Sequence, residues 1–173
     1  MRDEIFLGNG AVALGLVEAG CQIVTSYPGT PSSEILPEAI RLKKAYGLDT
    51  YVEWSTNEKV ATELAYGAAV NGHFSTVFFK SVGLNVAADT FMQLSLMNII
   101  GGMVVVLGDD PGANSSQNEQ DNRHIAEQGF IPVLEPSSVQ EAKDMMADAF
   151  KLSEQFGQLF MLRSVTRIGH ARG

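Results

Sequence analysis

The sequence predicts an α/β fold, a three-layer arrangement with a mostly parallel six-stranded sheet and helices on both faces. Three observations lead there. Short runs rich in Val, Ile and Phe alternate with longer segments of helical period. The run "GMVVVLGD" (Gly102–Asp109) is apolar without alternation, as expected of a strand covered on both faces in a parallel sheet. Each apolar run ends in a stretch rich in Gly, Ser, Asn or charge, where folds of this class place their binding loops.

The elements follow in order. "GNGAVALGLVEAG" puts Val12, Leu16 and Ala19 on one helical face, with the helix starting after Asn9. "QIVTSY" (Gln22–Tyr27) is the first strand and stops at "PGTP". "PSSEILPEAIRLKKAYG" is a helix with Ser32 or Ser33 as cap and Gly47 as stop; Pro37 either divides it or lies in its first turn. Thr50–Trp54 is a strand, then a helix runs from about Asn57 to Val70 with Gly72 as its stop. Ser75–Lys80 is a strand, "GLNVAADTFMQLSLMN" an apolar helix, and Gly102–Asp109 the buried strand. A polar loop, "GDDPGANSSQNEQDN", leads to a strand "FIPVLEPS", a helix "VQEAKDMMADAFKLSEQFG" capped by Ser137 or Ser138, and a last strand "QLFMLRS".

The 173 residues, 45% of them hydrophobic, suffice for one domain with its own core, and residues 1–173 read as a single unit without repeat or linker. A formal net charge of −8 and scattered basic residues argue against nucleic acid as a partner. No apolar stretch approaches a membrane span, and the acidic start "MRDEIF" is unlike a secretory signal, so the expected compartment is the cytoplasm. The one cysteine, Cys21, at the edge of an apolar run, reads as a small buried hydrophobe.

Candidate chemistry lies at the strand ends. In "YPGTPSSE", backbone N–H groups from Gly29 to Ser33 could converge on an anion at a helix start, or form a capped turn with no ligand. "GNGAVALG" misses the dinucleotide-binding spacing and reads better as a loop that caps a helix. The loop from Asp109 to Asp121 offers many oxygens but no known cation spacing, so no metal site is assigned. Lys80 closes a strand, where a lysine can meet an anion; Arg163 and Arg167 are further anion candidates against a salt-bridge alternative. Glu58 stands one turn into a helix at the sheet end where sites form, and a carboxylate buried there can exchange a proton. Glu63 is about 140° further round the same helix, and Glu53 closes the preceding strand.

The segments "YPGTPSSEI", "VEWSTNEKVATELAYGAA", "VGLNVAADTFM", "GDDPGANSSQNEQDNRHIA" and "PVLEPSSVQEA" together resemble the N-terminal, pyrimidine-binding domain of the alpha subunit of indolepyruvate ferredoxin oxidoreductases, within the thiamine-diphosphate-dependent 2-oxoacid:ferredoxin oxidoreductases. The resemblance runs from about Gly8 onward. It implies that Glu58 is the catalytic glutamate, bonded to the cofactor's pyrimidine nitrogen across from the amino group and favouring the imino tautomer that takes the thiazolium proton. It implies a cofactor site at Pro28, Gly29, Thr30, Glu58 and Asn85, with Lys80, Ser81, Asn114, Gln117 and Asn118 as substrate or loop residues. It also implies a partner: a domain or subunit that holds the diphosphate through Mg2+, in a homo- or hetero-oligomer that passes electrons to ferredoxin.

Two departures bear on this. No Gly-Asp-Gly motif occurs in the sequence, and in "GDDPGAN" a second Asp replaces the needed glycine. Relatives carry a histidine where this chain has Ser81, which cannot titrate near neutrality. The chain alone is therefore expected to be inactive. The alternatives are the alpha chain of a thiamine-dependent decarboxylase of the sulfopyruvate type and a non-catalytic assembly domain. The apolar content of "GLNVAADTFMQLSLMNIIGGM", with Met92, Met97 and Met103, suggests either core filling or a face that takes a partner.

Overall fold

The computed structural model describes residues 5–173. Its elements are α1 (Gly8–Glu18), β1 (Ile23–Ser26), α2 (Ile35–Tyr46), β2 (Tyr51–Trp54), α3 (Glu58–Val70), β3 (Ser75–Lys80), α4 (Gly83–Leu94), β4 (Met103–Asp109), α5 (Arg123–Gln128), β5 (Val133–Leu134), α6 (Val139–Phe156), β6 (Phe160–Val165) and α7 (Thr166–Gly169). The strands form one six-stranded sheet in the order β2-β1-β3-β4-β6-β5, and every named pairing is parallel. The central strands are the most apolar. All seven residues of β4 are buried, as its lack of alternation required.

Alternation along β3 and β4 divides the core between two faces. Phe78, Val104 and Val106 pack with α1, α2 and α6 residues such as Leu16, Leu36 and Phe150. Val77, Phe79, Val105 and Leu107 pack with Ala61, Ala65 and Ala69 of α3 and with Leu84, Ala87 and Phe91 of α4. The alanine stripe of α3 is fully buried, so the small side chains let that helix lie close on the sheet. Thr25 Oγ donates to the Ala61 carbonyl at 2.8 Å and Ser75 Oγ to the Ala65 carbonyl at 2.7 Å, fixing α3 against β1 and β3.

Several boundaries differ from the sequence reading. The glycines of "GNGAVALG" are not a loop but part of α1. A side chain at Gly8 would begin 1.9 Å from the Ile168 carbonyl oxygen and one at Gly15 2.5 Å from that of Lys143, so both glycines serve close packing. Neither Ser32 nor Ser33 caps α2, which starts at Ile35 with Pro37 inside its first turn. The strand expected over 130–137 contracts to Val133–Leu134, because α5 occupies the chain before it. The helix α4 ends at Leu94, leaving Leu96, Met97 and Ile100 exposed, while Met103 is buried in β4.

The cap of α6, Ser138, is one of the two the sequence indicates, and α3 is capped by Asn57. Asn57 accepts the Val60 N–H at 2.9 Å; Ser138 accepts the Glu141 N–H at 3.1 Å while Glu141 accepts the Ser137 N–H at 2.8 Å. Gly47 and Gly157 end their helices in the left-handed conformation. Cys21 is buried and its thiol is pushed up to about 12 by that burial. Among the described residues no helix is long and apolar enough to cross a membrane.

Candidate functional site

The strand order reverses direction at β1: the chain goes from β1 outward to β2, then back across to β3. The crevice at the carboxyl ends of β1 and β3 is therefore the switch point where α/β sheets bind ligands. Its walls are the turn Tyr27–Ser33, the start of α3 and the turn from Lys80 into α4.

Glu58 is the first residue of α3, held there by the Asn57 cap. It continues the buried stripe of Ala61, Thr62, Ala65 and Ala69, and it is only 6% exposed. No hydrogen bond or ion pair with a described residue engages its carboxylate, although its main-chain carbonyl accepts from Thr62 Oγ at 2.8 Å. With little exposure and no partner among the described residues, the carboxylate is free to meet a ligand. The carboxylate rests against Gly83. A side chain there would start 2.8 Å from Glu58 Oε1, 2.9 Å from its Cγ and 3.1 Å from Phe79 Cβ. Gly83 thus keeps open the space that the carboxylate uses. Ser81, two residues earlier, is fully buried and its hydroxyl has no hydrogen-bond partner.

Lys80 crosses the same crevice. Its stem lies on Gly29, where an added side chain would meet Lys80 Cγ and Cδ at 2.8 Å, and its ammonium donates to Gln117 Oε1 at 3.0 Å. Asn85, one turn into α4, exchanges two hydrogen bonds with Gln120, at 2.9 and 2.8 Å. Gln117 and Gln120 thereby lay the polar loop over the end of β3. Pro28 and Thr30 are exposed, and Gly29 is half-buried.

Of the two readings of Gly29–Ser33, an anion cradle or a turn closed on itself, the structure shows the closed turn. The Gly29 N–H donates to Ser33 Oγ at 2.9 Å, and the Ser32 N–H and Oγ both donate to the Gly29 carbonyl, at 3.1 and 3.2 Å. The turn spends its donors on itself. Asn114 stands apart from Glu58: it donates to the Pro111 carbonyl at 2.9 Å and lines a separate cavity of about 230 Å3 with Pro111, Val165, Thr166 and Arg167. Asn118 is exposed on the loop. Glu53 is bonded by Tyr51 and Ser55, and Glu63, half-exposed, accepts from Thr90 at 3.1 Å.

The acidic residues of the polar loop are taken by protein donors. Asp109, fully buried, accepts from Asn122 at 2.5 Å and from Arg163 Nε at 2.6 Å, and Arg163 also binds Glu135. Burial raises the Asp109 carboxyl above its ordinary value against the pull of these donors. Asp110 accepts from the Ser115 and Ser116 N–H groups and from the Thr166 hydroxyl; burial alone would raise it, but these bonds bring it down to about 2. The structure adds one residue the sequence reading did not single out. Asn122 is fully buried, bonds Asp109 and the Ser81 carbonyl, and accepts from Gln120 at 2.6 Å, tying the ends of β3 and β4 to the loop. Only its place at the close of the polar run could have marked it.

The chain is similar to known proteins. A family model described as pyruvate flavodoxin/ferredoxin oxidoreductase, thiamine diphosphate-binding, matches residues 14–171. The indolepyruvate oxidoreductase subunit IorA of Pyrococcus horikoshii is 52% identical over 169 residues, 98% of this chain and 26% of that protein. Its counterpart in Archaeoglobus fulgidus is 50% identical over 175 residues, 99% of this chain and 28% of that one. This chain therefore spans about a quarter of the length of these relatives. A solved structure, the 2-oxoglutarate:ferredoxin oxidoreductase of Magnetococcus marinus with 2-oxoglutarate, coenzyme A and succinyl-CoA bound, superposes with a TM-score of 0.85 at 21% identity over 98% of this chain and 30% of that one, a likeness of fold. With the family model covering nearly all of it, the chain belongs to the thiamine-diphosphate-binding family of pyruvate flavodoxin/ferredoxin oxidoreductases.

Proposed function

We propose that this chain forms the pyrimidine-side wall of the active site in a thiamine-diphosphate-dependent 2-oxoacid:ferredoxin oxidoreductase of the indolepyruvate type. The carrying observation is the Glu58 carboxylate, 6% exposed and unpaired, opposite a glycine at the topological switch point. The residues present fit an aminopyrimidine. A buried carboxyl can hold a proton toward a ring nitrogen, and Gly83 leaves room beside it for a flat ring. Thiamine diphosphate, when bound, supplies the acidic thiazolium carbon and the electron sink.

Each of the chain's own groups then has a part. Glu58 holds or yields a proton at the pyrimidine nitrogen, and its buried, water-poor setting strengthens that hydrogen bond. Gly29 and Gly83 set the width of the crevice, while Pro28, Thr30 and Asn85 border it. The Lys80–Gln117 and Asn85–Gln120 bonds hold the polar loop across the strand ends, where it limits water. The diphosphate and Mg2+ belong to another domain or subunit. That assignment rests on the absence of a Gly-Asp-Gly motif from these 173 residues and on the engagement of Asp109 and Asp110 by protein donors. Assembly into an oligomer, with ferredoxin receiving electrons from centres elsewhere in the complex, follows from the same reading.

The test is 2-oxoacid-dependent reduction of a viologen dye by the chain with its partner. Glu58→Gln should lower turnover by about 100-fold or more, the usual scale of a lost proton-transfer group. Turnover within a factor of two of the unmodified protein would reject the role, and robust turnover by the chain on its own would reject the need for a partner.

A further inference from the structure

We infer that Lys80 is the residue that receives the carboxylate of the 2-oxoacid, and that Gln117 holds its place until substrate arrives. This deepens the proposed function and rests on it for the identity of the substrate. The reasoning is a charge account of the crevice. A 2-oxoacid is an anion, and here it must enter a chain of formal net charge −8, at a sheet end that also holds the unpaired carboxylate of Glu58. Like charges brought together in a poorly solvated cleft repel strongly unless a cation lies between or beside them.

Lys59, near the start of α3, and Lys80, at the end of β3, are the cations closest in sequence to the crevice residues Glu58 and Gly83. Lys59, on α3, is engaged by Asp89 at 2.7 Å and approaches Glu63 at 3.9 Å. Among the described residues Lys80 has no carboxylate partner, and its one hydrogen bond there runs to the side-chain amide of Gln117 at 3.0 Å. An ammonium bonded to a neutral amide on an exposed loop keeps its charge available. The amide oxygen of Gln117 occupies the position that a carboxylate oxygen would take, with about the same geometry and a weaker hold, since a charged acceptor binds an ammonium more strongly than a neutral one.

The direction of Lys80 is set by the fold rather than by chance. Its stem is seated on Gly29, where any side chain would come within 2.8 Å of it, so the stem is led across the carboxyl end of β1 toward the polar loop. The adjacent Ser81 hydroxyl, buried and unpartnered, leaves a second donor in the same turn, at the start of the twelve-residue helix α4.

Two measurements decide it. In an NMR titration of the chain with indole-3-pyruvate and its methyl ester, the anion should bind about tenfold or more tightly than the ester, as expected for one charge-assisted hydrogen bond. Lys80→Met should abolish that preference and Lys80→Arg should keep part of it. Equal binding of anion and ester, or a preference that survives Lys80→Met, would overturn the inference. In the assembled enzyme Lys80→Met should raise KM for the 2-oxoacid about 10- to 100-fold while thiamine diphosphate affinity stays unchanged. A weakened cofactor affinity with unchanged KM would assign the ammonium to the diphosphate and also overturn it. Should Glu58→Gln leave turnover intact, the functional reading fails, yet the anion-against-ester comparison still decides the role of Lys80.

Discussion

The two halves of the sheet's carboxyl edge are built on opposite rules. At β4, β6 and β5 every buried charge is answered: Asp109 by Arg163 and Asn122, Arg163 by Asp109 and Glu135, Asp110 by Thr166 and two backbone N–H groups. At β1 and β3, among the described residues, the buried Glu58 carboxylate has no partner and Lys80 has only an amide. Lone hydroxyls do not separate the halves, since Ser81 is unpartnered in one and Ser116 and Ser164 in the other. Charged groups do. A buried charge that the protein satisfies holds the scaffold, and one it leaves open is aimed at something that arrives later.

That contrast can be broken in order of effect. Arg163→Met leaves Asp109 buried without its cation, and should cost about 3–5 kcal/mol in urea unfolding, the range for one partner removed from a buried pair. Glu58→Gln should change stability by less than about 1 kcal/mol, because no protein partner is lost. If both variants lost similar stability, the division into scaffold and site would fail.

A smaller effect is expected at Gly83. Gly83→Ala places a methyl 2.8 Å from Glu58 Oε1, so the carboxylate must shift by a few tenths of an ångström. Cofactor affinity in the assembled enzyme should fall by roughly tenfold, the weight of one displaced hydrogen bond, with little change in unfolding midpoint. A drop in stability without a drop in affinity would make Gly83 a packing residue only.

The smallest is a pH effect at the partnered end. The Asp110 carboxyl lies at about 2 in the folded chain, against about 3.9 when unfolded. A depressed value means that its contribution is fully present above about pH 4 and is lost as the pH falls toward 2. Amide exchange at Ser115 and Ser116, which donate to it, should therefore accelerate between pH 4 and 2, and Asp110→Asn should flatten that dependence. Exchange at these amides that ignores pH across the window would remove Asp110 as the anchor of the loop.

The layer order and parallel sheet were legible because periodicity records burial directly, and β4 is apolar where it is covered on both faces. Glu58 was legible as a position, a carboxylate at a helix start over a strand end, but its lack of a partner was not, since satisfaction depends on residues distant in sequence. The loop from Asp109 to Asp121 showed its polarity but not its partners, since it secures its two leading carboxylates with Arg163, 54 residues downstream of Asp109, and Thr166, 56 downstream of Asp110. The sequence left the turn at Gly29–Ser33 open between an anion cradle and a closed turn for a related reason. Serines beside a helix start suggest caps, but their hydroxyls can close the turn before the helix begins. The helix α5 was hidden because six residues at the tail of a polar run carry too little periodicity to announce themselves.

The central claim is that the open carboxylate of Glu58 belongs to thiamine diphosphate. Its most direct test is calorimetric titration of thiamine diphosphate with Mg2+ into the assembled enzyme, with Arg123→Met, in an exposed ion pair, as the control. The account predicts that Glu58→Gln weakens cofactor binding by about tenfold or more, the weight of one charge-assisted hydrogen bond, while the control binds as the unmodified enzyme does. Equal affinity in the unmodified enzyme and in Glu58→Gln would contradict it.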